Sequence, residues 1–450
     1  MDSREPPRSY GPPPELDPRH FAARRDRLLE RIGNGVAILV AAPELLKSRD
    51  TEVPYRQSSD FYYFTGLLEP ESAAVLTPHD GDHRFTIFVR RRDEEKEMWS
   101  GARLGVEGAL ETAGADAAYP IEELGTRLPD LLKPADSIHY PLAADAQVDH
   151  LVTESLLGAR KSRQRSGGPA GLVDLEASTS ELRLVKDDLE LQRMRIAAEI
   201  GAEGHIAAML RARPGAGEWE IQAALEATYR SMGAAEPAFP SIVGAGANAT
   251  VLHYVANRSR VHDGDLILID SGAEWGMYCS DITRTLPASG RFAPHQLDLY
   301  EIVLAAEEEA IAAAVPGAAS SAPHEAALKV LVRGMLDLGI MKGQSVEEAI
   351  ESEGYKRFFP HQTSHWIGLD VHDVGPYRRA GEPIALEPGM VLTIEPGIYI
   401  PLSADDVPEH FRGVGVRIED DVLVTPDGNE VLTRGVPVAP TEIEYLMRGE

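Results

Sequence analysis

The stretch from Leu266 to Thr285, LILIDSGAEWGMYCSDITRT, constrains this chain more than any other. An apolar run ends in Asp270, and a glycine-containing turn region leads to a second extended segment that carries Asp281. Short apolar runs bounded by glycine are typical of buried strands. A carboxylate at the end of such a strand is costly to bury unless it is paired or binds a cation. The stretch therefore predicts a metal site, and the alternative is a surface hairpin that carries two solvated aspartates.

Length, charge and cysteine content exclude several classes of protein. The chain has 450 residues, enough for two or three domains and a sizeable core. Its net charge of -28 argues against nucleic acid or an anionic membrane as a partner. The single cysteine, Cys279, excludes a disulfide framework and a thiolate zinc site. Because no apolar segment reaches the roughly 20 residues of a membrane span, and the first residues lack the apolar core of a signal peptide, we predict a cytoplasmic protein.

Alternating helical and strand-like patterns predict an α/β domain over residues 16–178. A charged helical segment at 16–34 precedes an apolar run at 35–40 that is typical of a central strand. Residues 1–15 are rich in proline and are predicted to form a disordered tail. The basic, glycine-rich segment between Gly158 and Gly171 is the predicted linker. Further strands are predicted at Phe61–Phe64, Ala73–Leu76, Phe85–Val89 and Ser137–Tyr140.

The C-terminal domain, residues 179–450, contains a pattern that occurs twice. Leu266–Gly272 (LILIDSG) has a counterpart in Val391–Gly397 (VLTIEPG), where an apolar strand again ends in a carboxylate that is followed two residues later by glycine. Each half also offers a second acidic strand, with Asp281 in one half and Glu419 in the other. Two related halves that each deliver two carboxylates are therefore predicted. The associated helices are expected near 185–211, 218–231, 294–314 and 323–338, and strand-like segments near His253, Asp270, Asp281, 391–395 and 414–424.

Three histidines that precede the second carboxylate motif favour a metal site over a surface hairpin with solvated aspartates. His361, His365 and His372 lie within twelve residues, and they are three of the chain's 14 histidines. A lone histidine is more often structural, but a cluster ahead of a strand that ends in a carboxylate indicates a site. Four carboxylates and one imidazole suit divalent ions such as Mn²⁺, Co²⁺ or Zn²⁺, and two such ions would balance the four negative charges. A water held between them would lose its proton near neutral pH and attack a carbonyl.

Serine or cysteine nucleophiles do not compete with this interpretation. The chain has no Gly-x-Ser-x-Gly elbow, and Cys279 has no evident activating base. We expect Cys279 to be a buried structural residue.

These motifs resemble those of the bacterial Xaa-Pro aminopeptidases (aminopeptidase P) of the pita-bread metallopeptidase family, which also includes prolidase and methionine aminopeptidase. The resemblance covers almost the whole chain beyond the tail. Besides the acidic and histidine motifs, it includes Tyr55–Gly66, Met98–Gly101, Pro240–Gly244 and Leu252–Tyr254. It implies a creatinase-like α/β N-terminal domain and a C-terminal pita-bread domain with pseudo-twofold related halves.

The resemblance also implies the ligands of two divalent metal ions, most often Mn²⁺ in the family, with Co²⁺ and Zn²⁺ as alternatives. Asp281 and Glu419 would bridge the ions, Asp270 would bind one ion, and His365 with Glu395 would bind the other. Glu395 would also shuttle a proton of the bridging water.

Further site residues follow from the same resemblance. His253 and His372 would bind the substrate carbonyl and the developing oxyanion. His361, Tyr399 and Arg417 would line the site and orient the bridging carboxylates and the proline side. Many bacterial members form tetramers in which a tryptophan that matches Trp99 reaches a neighbour's site, so a homo-oligomer, a dimer or a tetramer, is implied.

The activity implied by the resemblance is hydrolysis of the bond between an N-terminal residue and a following proline. The partners would be peptides with proline in the second position, with neither nucleic acid nor membrane involved. One alternative is prolidase, which uses the same metal cluster on Xaa-Pro dipeptides. Another is a non-catalytic peptide-binding scaffold of the same fold. Retention of all five ligand residues weighs against the scaffold and against creatinase-like chemistry.

Overall fold

The computed structural model describes residues 8–79, 81, 83–161, 168–343 and 345–449, with the backbone alone at 159–161. The chain divides into two compact units. The N-terminal unit is Glu15–Leu182, and the C-terminal unit combines Arg183–Glu450 with Met1–Pro14. The predicted domain boundary between residues 178 and 179 falls inside a helix, Glu176–Leu184, which contains the observed division.

The N-terminal unit alternates strands and helices, as expected for an α/β domain. Its first helix begins at Pro18 because Asp17 caps it and accepts a hydrogen bond from the Arg19 N–H, and it ends at Gly33, whose φ is 58°. In chain order the elements are α1 (Pro18–Ile32), β1 (Val36–Val40), β2 (Leu46–Ser48), β3 (Thr51–Glu52), α2 (Ser59–Thr65), β4 (Ala73–Leu76), β5 (Phe85–Val89), α3 (Glu94–Ser100), α4 (Gly105–Ala113), β6 (Ala117–Pro120), α5 (Leu124–Leu132), β7 (Ser137–His139), α6 (Ala146–Lys161), β8 (Gly171–Val173) and α7 (Glu176–Leu184).

The sheet of this unit is mixed, with strand order β6-β5-β4-β1-β7-β8. Strand β1 reads VAILV, and it pairs antiparallel with β4 and parallel with β7. Continuous apolar runs of this kind occur where both faces of a strand are covered. The observed bounds agree to within one residue with the strands predicted at 35–40, Ala73–Leu76, Phe85–Val89 and Ser137–Tyr140, so these predictions are confirmed.

One predicted strand is wrong. Phe61–Phe64 lies in helix α2, because the Ser58 side chain accepts the Phe61 N–H at the start and Gly66, with a φ of 71°, ends the helix. A short run of buried aromatic residues does not by itself distinguish a strand from a helix, and here the caps decide.

The predicted linker does not separate the domains. Its first residues continue helix α6 to Lys161, and its basic residues at 162–167 lie outside the described part of the chain. Beyond them, β8 pairs in parallel with β7, with Gly171 opposite Ser137. The segment therefore connects two elements of one α/β domain.

The C-terminal unit contains long helices and short antiparallel strands. Its elements are α8 (Asp188–Arg211), α9 (Glu218–Met232), β9 (Glu236–Pro237), β10 (Ile242–Ala245), β11 (Leu266–Asp270), β12 (Ala273–Trp275), β13 (Tyr278–Cys279), β14 (Thr283–Pro287), α10 (Pro294–Ala313), α11 (Ala322–Asp337), α12 (Val346–Glu351), β15 (Arg378–Arg379), β16 (Glu382–Pro383), β17 (Val391–Ile394), β18 (Gly397–Tyr399), β19 (Gly415–Arg417), β20 (Asp420–Thr425), β21 (Gly428–Val431) and α13 (Pro440–Arg448). The helices predicted from periodicity are confirmed, whereas the segment around His253 is irregular and not a strand.

The sheets of the C-terminal unit reproduce the predicted repeat. In the first half, β11 pairs antiparallel with β10 and β14, and in the second half, β17 pairs antiparallel with β20, which in turn pairs with β21. The halves meet where Thr283 and Glu419 pair through backbone hydrogen bonds of 3.1 and 3.4 Å. This pairing brings the second acidic segment of each half together.

A large apolar cluster supports these sheets. Buried residues of β11 and β17, including Ile267, Ile269 and Ile394, belong to one cluster with residues of helices α8 to α11. Cys279 is buried too, as expected for a structural cysteine. In the part of the chain that the structure describes, no helix is long and apolar enough to cross a membrane.

The predicted disordered tail is wrong for its described part. The N–H groups of Tyr10 and Gly11 donate to the Met232 carbonyl at the end of α9, at 2.9 and 3.1 Å. The Trp275 indole donates to the Gly11 carbonyl at 2.9 Å, and Arg193 donates to the Pro14 carbonyl at 3.1 Å. Backbone groups of a proline-rich segment can thus be satisfied by a folded unit that supplies donors and acceptors along its path.

Candidate metal centre

The predicted carboxylates lie at corresponding strand ends of the two halves. Asp270 is the last residue of β11 and Glu395 follows β17, while Asp281 lies two residues before the start of β14 and Glu419 lies between β19 and β20. All of them line a cavity of about 960 Å³ in the C-terminal unit. The same cavity contains the predicted histidines and the arginine of the site: His253, His361, His365, His372 and Arg417.

Three of the predicted ligands form a compact group. One ligand atom from each of Asp281, His365 and Glu419 lies within 4.8 Å of the others. The His365 Nε2 atom is 3.6 Å from Asp281 Oδ2 and 3.6 Å from Glu395 Oε1. The His365 Nδ1 atom lies 3.1 Å from the Trp366 carbonyl and donates its proton there, which directs Nε2 with its lone pair toward the carboxylates.

Burial, together with the charges of neighbouring carboxylates, raises the pKa values of three of these residues. Burial and the charges of Glu419 and Asp270 raise the pKa of Asp281 well above its ordinary value. Burial and the charge of Glu419 do the same for Glu395, and burial with the nearby Asp270 raises the pKa of Glu419 to about 7. Four neighbouring carboxylates, three of them buried and Glu395 partly buried, cannot all be ionised without compensating positive charge, which protons or metal cations can supply.

Two observations indicate that the compensating charge is metallic. The Oδ1 atoms of Asp270 and Asp281 are buried and have no hydrogen-bond partner among the described residues. A buried lone pair without a donor is costly unless it coordinates a cation. Carboxylate oxygens with one imidazole nitrogen are the donor set that hard and borderline divalent ions prefer. The residues therefore fit a divalent metal site.

A hydrogen-bond chain surrounds the carboxylates. The Thr283 hydroxyl donates to Glu419 Oε2 at 2.6 Å, and Arg417 Nε donates to the same hydroxyl at 3.1 Å. Arg417 also donates through Nη2 to Asp270 and through Nη1 to the Tyr399 hydroxyl, the latter at 3.0 Å. The guanidinium thus fixes Asp270 directly and Glu419 through Thr283.

His361 continues this chain as a neutral ring. Burial and the nearby Arg417 charge lower the pKa of His361 to about 4. The neutral ring donates through Nδ1 to the Gln362 carbonyl at 2.7 Å, so its Nε2 accepts the Tyr399 hydroxyl at 2.9 Å. The proton of Tyr399 therefore points to His361, while its oxygen accepts from Arg417. This arrangement fixes the tautomer of His361.

The remaining predicted residues occupy different surroundings. The His372 ring lies 4.3 Å from the His365 ring, and burial with that neighbour lowers the pKa of His372. His253 belongs to the irregular segment between β10 and β11, and its exposed side chain lines the cavity. Trp99 lies on α3 of the N-terminal unit with 87% of its surface exposed, whereas every residue that lines the cavity belongs to the C-terminal unit.

Sequence reasoning missed polar residues that support the predicted ligands. Thr283 holds Glu419, and the buried Asp421 side chain accepts the backbone N–H of the predicted ligand Asp281 at 3.0 Å. Each of these residues lies two positions after a predicted ligand. Because side chains two residues apart share a face of an extended segment, this spacing is a signal that could have found both.

Carboxylates at or next to the ends of strands, together with an imidazole, line one cavity to which both related halves contribute. They define the class of protein: a metal-dependent hydrolase of the pita-bread fold. Residues 192–426 match the family described as Metallopeptidase family M24, and residues 21–139 match the family described as Aminopeptidase P, N-terminal domain. The chain belongs to metallopeptidase family M24.

Named relatives and solved structures agree with this assignment. The chain is 42% identical to a Xaa-Pro aminopeptidase of Escherichia coli over 96% of this chain and 98% of that protein. It is 34% identical to the human Xaa-Pro aminopeptidase 3 over 96% of this chain and 86% of that protein. Its structure matches an aminopeptidase of Pseudomonas aeruginosa with a TM-score of 0.93 and 44% identity, covering 96% of this chain and 98% of the other. The predicted family and fold are confirmed.

Proposed function

We propose that this chain is a metal-dependent aminopeptidase that releases the N-terminal residue from peptides with proline in the second position. The observation that carries the proposal is the group of Asp281, His365 and Glu419 ligand atoms within 4.8 Å, in a cavity large enough for a short peptide. Relatives named Xaa-Pro aminopeptidase align with almost the whole chain, and an aminopeptidase P of Escherichia coli with a TM-score of 0.91 has been solved with the inhibitor Pro-Leu.

Two divalent ions, most often Mn²⁺, would be held by Asp270, Asp281, His365, Glu395 and Glu419. Their bound charge would supply Lewis acidity and make a water molecule acidic near neutral pH. Asp281 and Glu419 lie where the two halves meet, which supports their role as shared ligands. His365 Nε2 lies 3.6 Å from Glu395 Oε1, which supports their assignment to one ion, and Asp270 would bind the other.

The protein's own groups would move the protons and bind the peptide. Glu395 lines the cavity, and its carboxylate would take up a proton from the attacking water and pass it to the leaving amine. His253 and His372 would donate hydrogen bonds to the scissile carbonyl oxygen as it gains negative charge. Arg417, Tyr399 and His361 would hold the carboxylates in place through the chain of bonds described above.

Selectivity for proline would come from the apolar part of the cavity. A proline ring lacks an N–H and fixes its φ angle, so a wall of apolar side chains can recognise it without leaving a donor unpaired. The cavity provides such side chains, among them Phe239, Pro240, Ile242, Leu252 and Val255. Its volume of about 960 Å³ leaves room for residues beyond the proline, which favours an aminopeptidase over a strict dipeptidase.

Peptide hydrolysis by the purified protein with Mn²⁺ tests this function. We expect Arg-Pro-Pro to be cleaved after arginine with a kcat/KM at least comparable to that of Arg-Pro, and Arg-Ala-Pro to be a much poorer substrate. Pretreatment with a chelator should abolish the reaction, and added Mn²⁺ should restore it. Turnover confined to Xaa-Pro dipeptides would assign the chain to prolidase, and peptide binding without hydrolysis would make it a scaffold.

We also propose a cytoplasmic homo-oligomer, a dimer or a tetramer, in which Trp99 reaches a neighbour's site. The exposed Met98 and Trp99 on α3, with 84% and 87% of their surfaces accessible, provide an apolar surface that association would bury. Solution mass measurements on the protein and on Trp99→Ala test this proposal. A monomeric wild-type protein with full activity would contradict it.

A further inference from the structure

We propose that Glu218, at the start of helix α9, positions His253 for its role in binding the peptide carbonyl. The inference rests on the function of His253 proposed above. Glu218 does not touch the cavity, so its effect would be transmitted through the segment that carries His253.

Glu218 is fully buried, and its carboxylate accepts hydrogen bonds from several points of that segment. Its Oε1 accepts the N–H of Ala245 at 2.9 Å and the side-chain amide of Asn248 at 2.9 Å. Its Oε2 accepts the Tyr254 hydroxyl at 3.0 Å and the N–H of Ser259 at 2.7 Å. The carboxylate therefore ties together both ends of the loop and the neighbour of His253.

The position of His253 depends on these ties. Leu252 and Tyr254 pack against the small cluster that contains Ile242 and Tyr399, and the His253 side chain between them lines the cavity. Among the described residues the His253 ring has no hydrogen-bond partner, so the nearest fixed point is the adjacent Tyr254, which Glu218 holds. A second anchor, Asn257, accepts the Val243 N–H at 2.9 Å farther along the loop.

Groups of the loop are the donors in all four hydrogen bonds of the Glu218 side chain. The position therefore requires an acceptor on both oxygens, which a carboxylate provides. A buried anion is stable here because it accepts bonds on both oxygens and lies in the first turn of α9, where the helix dipole favours negative charge. A glutamine of the same shape would keep one acceptor oxygen and place an NH₂ group against donors. The Ser259 N–H cannot reverse its role, so the loop would have to move away from the side chain.

The test is a double-mutant cycle that combines Glu218→Gln with His253→Ala. In the wild-type background, Glu218→Gln should lower kcat for Arg-Pro-Pro about 10–100-fold, because a displacement of about 1 Å at a positioned group has effects of this size. Bound metal and KM should change little. In the His253→Ala background, the same substitution should cause less than about a threefold further loss, because the residue through which it acts is gone.

Glu220→Gln is the matched control. Glu220 lies on the same helical turn, and its carboxylate accepts from Arg211 at 2.6 Å and from the Gly217 N–H at 3.1 Å, with no bond to the His253 loop. The control should lose stability through the weakened cap but keep kcat. If Glu218→Gln does not fold, Tyr254→Phe removes one donor from the same carboxylate and should show a smaller loss of kcat that also disappears in the His253→Ala background.

Each outcome decides one of the two proposals. If His253→Ala keeps full activity, the role proposed for His253 is wrong. If His253→Ala impairs catalysis but Glu218→Gln causes the same fold-loss with and without His253, then the positioning role of Glu218 is wrong and the proposed function stands. Equal kcat losses in Glu218→Gln and Glu220→Gln would also overturn the inference, because they would reflect damage to the helix.

Discussion

At the scale of single residues, the site is governed by the cost of keeping several carboxylates in a small buried volume. Asp281 and Glu419 are 5% and 2% exposed and lie in one group with His365. Like charges at this spacing raise each other's pKa values, and a divalent cation removes the conflict more completely than a proton does. Binding of metal and the ionisation of these groups are therefore linked.

Removing one shared carboxylate should abolish both metal binding and turnover. We expect Asp281→Ala and Glu419→Ala to hold less metal and to show no measurable hydrolysis, because the ligand carboxylates supply most of the neutralising charge. Metal analysis of the dialysed proteins, together with an activity assay, measures both effects. Glu430→Ala, which removes an acidic side chain of β21 that pairs with Arg195, is the control and should match the wild type. Full turnover of Glu419→Ala with two tightly held ions would contradict the assignment.

The histidines should separate into ligands and helpers. His365→Ala should lose metal as well as activity, because its Nε2 faces Asp281 and Glu395. His253→Ala should keep its metal while kcat falls about 10²–10³-fold, the usual loss for one donor to a developing oxyanion. Metal stoichiometry and kcat of the two variants are the measurements. The division fails if both variants have the same metal content and the same residual rate.

At the scale of elements, the segment that carries His365 and His372 is held at its end by buried ion pairs of Asp373. Asp373 pairs with Arg183 and with Lys186, whose Nζ is 3.0 Å from Oδ2. Burial raises the pKa of Asp373, but the two cations outweigh it and hold the pKa below its ordinary value. The ion pairs lie against Gly368, where a Cβ would be 2.3 Å from Asp373 Oδ2 and 2.9 Å from Lys186 Cε.

Gly368→Ala should therefore disturb this segment. We expect a loss of about 1–3 kcal/mol in the free energy of unfolding, the usual cost of overpacking, and a fall in kcat because His365 and His372 flank the site of the clash. Denaturant unfolding and peptide hydrolysis measure the two effects. Gly171→Ala, at a position with open space around its Cα, is the control and should leave activity unchanged. If the Gly368→Ala protein has wild-type stability, the ion pairs of Asp373 can shift to accommodate the added methyl group, and the expected overpacking is wrong.

At the scale of the whole molecule, helix α8 is joined to the end of β11 by a buried histidine. His205 is completely buried and donates through Nε2 to the Ser271 carbonyl at 3.0 Å. Burial lowers its pKa from 6.5 to about 4, so the folded protein holds this ring neutral. The unfolded chain binds the proton more readily between these values, and folding stability must decrease as the pH falls through this range.

Replacing His205 should remove part of this acid sensitivity. The linkage amounts to about 3 kcal/mol at pH 4, because one pKa unit corresponds to roughly 1.4 kcal/mol. We expect His205→Gln, which keeps a donor for Ser271, to be less stable than the wild type at pH 7.5 and to lose less stability on acidification to pH 4.5. Unfolding free energies at both values measure the difference between the proteins. Parallel pH profiles for the two proteins would show that His205 does not titrate as expected.

Much of the fold was determined by local sequence. The helices α1, α8, α9, α10 and α11 follow from apolar spacing and capping residues, and the strands β1, β4, β5, β11 and β17 follow from apolar runs. Local pattern was insufficient at Phe61–Phe64, where an aromatic run suits either structure and the cap at Ser58 selects the helix. It was also insufficient for residues 8–14, whose order comes from partners such as Met232 and Trp275 that are far away in the sequence.

The sequence by itself also determined which residue types could bind metal, because a carboxylate that ends an apolar strand has few stable alternatives to coordination. Only the tertiary structure decided how these residues are held. Thr283 and Glu419 are separated by 136 residues, yet their hydrogen bond and backbone pairing join the halves. Arg417 reaches Asp270 across 147 residues. Such contacts depend on the packing of whole sheets, and a one-residue shift in strand register would turn these side chains away from the site.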